Sequence, residues 1–103
     1  MDYQNYAIGK WITGDGEGAP LYNAITGEEI GRATSKGLDF DQMMVHSRKV
    51  GGPALRRMTF QERGLMLKAL ALHLHGVKEK FYQLSYATGA TKLDSWIDIE
   101  GGI

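Results

Sequence analysis

The hydrophobic period of the chain changes at Gly37. Before it apolar residues alternate with a period of two, and after it they recur about every 3.6 residues, the signatures of strands and of amphipathic helices. A chain of 103 residues that switches once in this way is restricted to an α+β fold with strands first and helices after. Residues 1–36 carry Gly9, Gly14, Gly16, Gly18, Pro20, Gly27 and Gly31 between short β-rich runs. Strands are expected over 6–13, 19–25 and 29–34, joined by turns at Gly14-Asp-Gly-Glu-Gly18 and Thr26-Gly27-Glu28 into a short antiparallel β-meander.

Residues 37–103 predict three to four helices. In the first, Phe40, Met43, Met44, Ser47 and Val50 share a face, and Gly51-Gly52-Pro53 is expected to stop it. Thr59-Phe-Gln-Glu62 is a capping box opening a second, longer helix with an apolar stripe of Met66, Leu67, Leu70, Ala71 and Leu74. Gly76 marks a break, and a third helix over 78–88 ends at Gly89 as its C′ residue. Thr91, with Asp94 three residues on, starts a fourth amphipathic segment that is about three turns long at Ile103.

Composition excludes several functions. No cysteine is present, so no disulfide, thiolate nucleophile or thiolate metal site can form from these residues. Twelve basic residues balance twelve acidic ones, and Arg48, Lys49, Arg56, Arg57 and Arg63 lack the interleaved aromatics of a base-stacking surface; no nucleic-acid partner is expected. No run approaches the roughly 20 apolar residues of a membrane span, and the start, Met-Asp-Tyr-Gln-Asn-Tyr, has no export-signal pattern. Neither membrane partner nor export is expected, and the cytoplasm is the expected compartment.

Residues that could carry chemistry have plain structural explanations. His73 and His75 are two apart on a helix, about 200° around its axis, and cannot share an ion, so no metal site is assigned. The glycines of 14–18 lead into Pro20 and another strand-like run rather than a helix, unlike a phosphate loop. Asp94, Asp98 and Glu100 form an acidic set at the end of the chain. Asp94 suits a helix start, whereas Asp98 has no local reason and stays open as a functional residue. Physical reading alone supports a small α+β interaction module.

Residue order adds a resemblance. Ile8-Gly-Lys-Trp-Ile-Thr-Gly-Asp-Gly16, then Asn23-Ala-Ile-Thr-Gly-Glu-Glu-Ile-Gly-Arg32, then Thr59-Phe-Gln-Glu-Arg63, then Ala87-Thr-Gly-Ala-Thr91 resemble, in order and spacing, the N-terminal region of aldehyde dehydrogenases. Ala24 and Ala90-Thr91 depart from the family's proline and its Lys-Pro. Together Ser35-Lys-Gly-Leu-Asp39, Gly51-Gly-Pro-Ala-Leu55, Met58-Thr-Phe-Gln-Glu-Arg63 and the run from Thr88 to Ile103 most resemble one branch, the dehydrogenase part of the bifunctional ring-opening proteins of bacterial phenylacetate degradation. In that branch a hydratase-like ring-opening domain is fused to the dehydrogenase, and the semialdehyde dehydrogenases of the aerobic benzoyl-CoA route are a close neighbour.

The resemblance implies an N-terminal piece of a protein several times longer, its first partner being the remainder of the dehydrogenase chain. Family members oxidise an aldehyde through a cysteine thiolate, pass hydride to NADP or NAD, and hydrolyse the resulting thioester. The branch acts on a CoA-linked semialdehyde with NADP. None of that machinery matches a residue here, so no catalytic or cofactor-binding residue is assigned and the piece alone is expected to be inactive. Trp96, Asp98, Ile99 and Gly102 fall on the family helix that borders the aldehyde tunnel and are the candidate tunnel-side positions. Some members hold a cation near the start of the chain partly through an acid where this chain has Ala87, so no such ion is expected. Separated from its partner, the helical part is expected to self-associate, with the segment from Leu93 to Ile103 as the pairing surface. The alternative is a stand-alone helical protein-interaction module.

Overall fold

A computed structural model describes residues 2–103 as an α+β chain, with strands before Gly37 and helices after it. It divides into two compact units, residues 2–22 with 28–58 and residues 23–27 with 59–103.

In the first unit β1 (Asn5–Ala7) pairs antiparallel with β2 (Lys10–Ile12), and β3 (Ala19–Tyr22) with β4 (Glu29–Ala33). The expected meander is thus two separate hairpins. The single strand expected over 6–13 folds back on itself at Ile8-Gly9. Both residues have positive φ, 53° and 75°. This is the conformation of a two-residue hairpin turn, easy for glycine and strained for β-branched isoleucine. Tyr6 and Trp11, directly opposite in the ladder, meet edge to face at 5.1 Å. A further polar tie joins Asn5 to the β4 end, its Nδ2 donating to the Thr34 carbonyl at 2.7 Å.

Helix α1 (Phe40–His46) starts on Asp39, whose carboxylate accepts from the Gln42 N–H at 2.9 Å. Gly51-Gly52-Pro53 does not end it. The helix widens into a π-helical turn over Ser47–Gly51, with the Gly52 N–H reaching back to the Ser47 carbonyl, and continues as α2 (Gly52–Arg56). Pro53 follows directly, and the wider turn before it makes room for a residue that has no N–H to donate.

The second unit holds α3 (Phe60–Gly76), α4 (Lys78–Ala87), α5 (Lys92–Ile99) and the loop Asn23–Gly27. The Thr59–Glu62 capping box forms in full. The Glu62 N–H donates to Thr59 Oγ1 at 3.2 Å, and the Thr59 N–H to the Glu62 carboxylate at 2.6 Å. The Thr59 backbone N–H foremost, then the Thr59 side chain, holds the Glu62 carboxyl below its ordinary range. Helix α4 ends as expected at Thr88-Gly89, with Gly89 at φ 87°. The Ala24 N–H donates to the Ala87 carbonyl at 2.8 Å and ties the loop to the end of α4.

Little of this surface is covered. Among the described residues only Ala7 and Tyr82 are buried apolar side chains. Helix α3 buries none of its residues: Leu67 and Leu70 are 59% and 52% exposed, and Leu65 and Leu72 66% and 65%. At about 100° per residue, Leu65 and Leu72 lie opposite Leu67, Leu70 and Leu74. The helix is apolar on two opposite faces.

Candidate functional site

Trp96, Asp98 and Ile99 lie on α5, which pairs with α4, and Gly102 lies in the turn just after it. Its start is local chemistry: Thr91 Oγ1 accepts from the Asp94 N–H at 3.1 Å, and the Asp94 carboxylate answers Thr91 Oγ1 at 2.7 Å and the Thr91 N–H at 3.4 Å. One of the three acids is thereby explained. Its attachment to α4 is polar. Ser95 is fully buried, and its hydroxyl lies 2.8 Å from that of Ser85. At the far end Glu100 Oε1 accepts from Lys78 Nζ and from Tyr82 Oη, both at 2.9 Å. Lys78 first, then Tyr82, lowers the Glu100 pKa, with Trp96 contributing a further hydrogen bond. Burial, then the Glu100 bond, pushes the Tyr82 phenol up to about 12. A second acid is thereby explained as well.

Asp98 remains. It is exposed, and its carboxylate makes no hydrogen bond or ion pair among the described residues. With Asp94, Ile97, Gly101 and Gly102 it lines an open depression of about 380 Å³ on the face of α5 turned from α4. The two glycines fit there because a Cβ on Gly101 would collide with the Ile97 carbonyl oxygen, and one on Gly102 would come within 2.8 Å of that of Asp98.

The structure therefore brings Asp98 and Gly102 together and sets Trp96 apart. Trp96 lines a second groove, of about 300 Å³, with Glu79, Tyr82, Tyr86, Lys92 and Glu100. Ile99 is half-buried and lines neither hollow. Sequence reasoning missed the Ser85–Ser95 pair and the grip on Glu100. Their one signal was spacing, since Lys92, Trp96 and Glu100 recur every four residues and mark a helix face.

The described residues do not fit a nicotinamide dinucleotide. Gly14–Gly18 joins β2 to β3, with no helix N-terminus behind it to receive a phosphate. No group of three or more metal-ligating side chains occurs among them, and none of their helices is long and apolar enough to cross a membrane.

Two hairpins, capped helices and an outward acidic face make up the described residues, and the sequence resemblance is tested by comparison with known proteins. Over 104 aligned residues, 100% of this chain, it is 38% identical to the 3,4-dehydroadipyl-CoA semialdehyde dehydrogenase of Aromatoleum evansii. The chain spans 20% of that relative's length. No protein-family model matches it.

Proposed function

We propose that this chain is the N-terminal scaffold segment of a longer, cytoplasmic, NADP-dependent dehydrogenase that oxidises a CoA-linked semialdehyde from aromatic-acid catabolism. The observation that carries the reading is identity of 38% running through the whole chain against a semialdehyde dehydrogenase roughly five times as long. Helix α3 supports it independently. A helix with leucines on opposite faces is one that a larger protein covers on both sides, and here Leu65 and Leu72 on one face and Leu67 and Leu70 on the other are all more than half exposed. The remainder of the dehydrogenase chain is the proposed cover. Asp98 and Gly102, with Trp96 and Ile99 as the other candidates on the same helix, would stand beside the path of the aldehyde. On that reading the α5 face carrying Asp98 is left open for substrate and the α4-facing side is structural.

In the longer enzyme the reacting thiolate and the nicotinamide site come from other residues, since these 103 contain no cysteine. The test compares the 103-residue chain with the full-length product, each incubated with NADP and a CoA-linked semialdehyde and followed at the nicotinamide absorbance band. Turnover confined to the longer protein is expected; turnover by the short chain that survives repurification would overturn the reading.

A second reading, a helical module that binds protein, is favoured by the same exposed leucines. The two share one consequence: the isolated chain self-associates. Covering about 400 Å² of apolar surface contributes on the order of 10 kcal/mol before association costs, and the formal net charge of +0 adds no repulsion. Sedimentation at micromolar concentration should show species above 11.4 kDa. A single monomer with a cooperative melt would show that the exposed leucines need no cover.

A further inference from the structure

We infer that Glu100 is a positioning residue, a latch whose carboxylate gathers Lys78 and Tyr82 and fixes the rotation of α5 on α4. The α4–α5 pair buries little of its surface. Only Tyr82 and Ser95 are buried within α4 and α5, too little apolar area to set how an eight-residue helix is turned about its axis. The Ser85–Ser95 hydrogen bond is a single point of attachment, around which α5 could still swing or spin. Glu100 lies five residues further on, about 7.5 Å along the helix, and supplies the second point through two bonds of 2.9 Å to one oxygen. Two points define both tilt and rotation.

The latch also sets the next turn. Glu100 is the C-cap of α5, and Gly101 and Gly102 follow it directly, folded so tightly against the Ile97 and Asp98 carbonyls that side chains are excluded. Holding Glu100 against α4 therefore aims Asp98 and Gly102 at the opposite side. In the reading of α5 as a passage wall, Glu100 never touches substrate and yet decides where Asp98 stands. The latch itself does not depend on that reading.

The groups around the carboxylate determine its pH behaviour. From α4 come Lys78, Glu79, Tyr82 and Tyr86, and from α5 Lys92 and Trp96. Lys78 is the cation at hydrogen-bond distance and Glu79 the like charge. Since Glu100 is held below its ordinary pKa of 4.5, the latch is present above that value and is released as pH falls beneath it.

The test uses the 103-residue chain carrying Trp11→Phe, which leaves Trp96 as its one tryptophan. Amide hydrogen exchange over residues 96–103 and Trp96 emission against pH are measured for Glu100→Gln, Glu100→Asp, Lys78→Met and Tyr82→Phe. Glu100→Gln and Lys78→Met should speed exchange in the last turn of α5 on the order of tenfold and leave α3 unchanged. The acid transition in emission should vanish with Glu100→Gln and persist, shifted, with Glu100→Asp. If Glu100→Gln loosens the whole unit, the milder Lys78→Met and Tyr82→Phe decide. Exchange within twofold of the parent in both, with an unaltered pH profile, would overturn the latch. The passage reading fails separately, if Asp98→Asn in the longer enzyme leaves KM and kcat unchanged while the latch variants behave as stated.

Discussion

Replacing Ser95 probes the one fully buried side chain of the second unit. Ser95→Ala removes a neutral hydroxyl–hydroxyl bond of 2.8 Å, for which the net cost is about 1 kcal/mol. Its partner Ser85 is only half-buried, so water can reach the abandoned hydroxyl and the larger penalty of an unsatisfied buried group does not apply. Ser95→Val loses the same bond and adds a branched methyl where no accessible surface remains. Overpacking of that kind costs about 1–3 kcal/mol more. The stability order should therefore be parent, then Ala, then Val. For a domain of this size about 1 kcal/mol corresponds to roughly 4–8 °C in Tm. Urea unfolding followed by far-ultraviolet circular dichroism measures the series. A double-mutant cycle with Ser85→Ala should return a coupling of about 1 kcal/mol. Two Ser95 variants within about 0.3 kcal/mol of the parent would refute the reasoning, because that is how an exposed serine behaves.

Two further predictions concern the same unit. Thr59→Ala removes the N-cap of α3 and should cost about 1 kcal/mol, read as a lower urea midpoint; an unchanged midpoint would place the helix start elsewhere. Alkaline stability should depend on Tyr82. Its folded pKa is raised from 10.0 to about 12, so the unfolded chain ionises first, and stability present below pH 10.0 declines as pH rises toward about 12. Urea midpoints at a series of alkaline pH values should show that decline in the parent and a weaker one in Tyr82→Phe.

What was legible in the sequence was local chemistry. Thr59 with Glu62, Thr91 with Asp94, and Gly89 each act within about four residues, and each does in the fold what its spacing announces. The misreadings arise where a local rule met a competing demand. Ile8 alternates correctly for a strand, yet the chain turns at Ile8-Gly9, because cross-strand contacts such as Tyr6 with Trp11 hold a β-branched residue at positive φ. Gly51-Gly52-Pro53 looks like a stop, but a π-helical turn accommodates the proline. Ser95 and Glu100 were opaque for a different reason. Their roles depend on which helix lies across from them, and nothing in a period of about 3.6 names a partner. The division among the candidates could have been seen, since Trp96 and Asp98 are two residues apart, the same 200° separation that parts His73 from His75.

The central claim is that this chain works as the opening segment of a larger dehydrogenase, and the size of the native gene product tests it most directly. An antibody raised against the 103 residues should detect, in the source cells, a protein roughly five times the 11.4 kDa of this chain, in proportion to the 20% of the relative that it spans. Peptides from that band should include these residues together with a cysteine-containing stretch beyond them. A native product of 11.4 kDa, with no larger species carrying these peptides, would contradict the account.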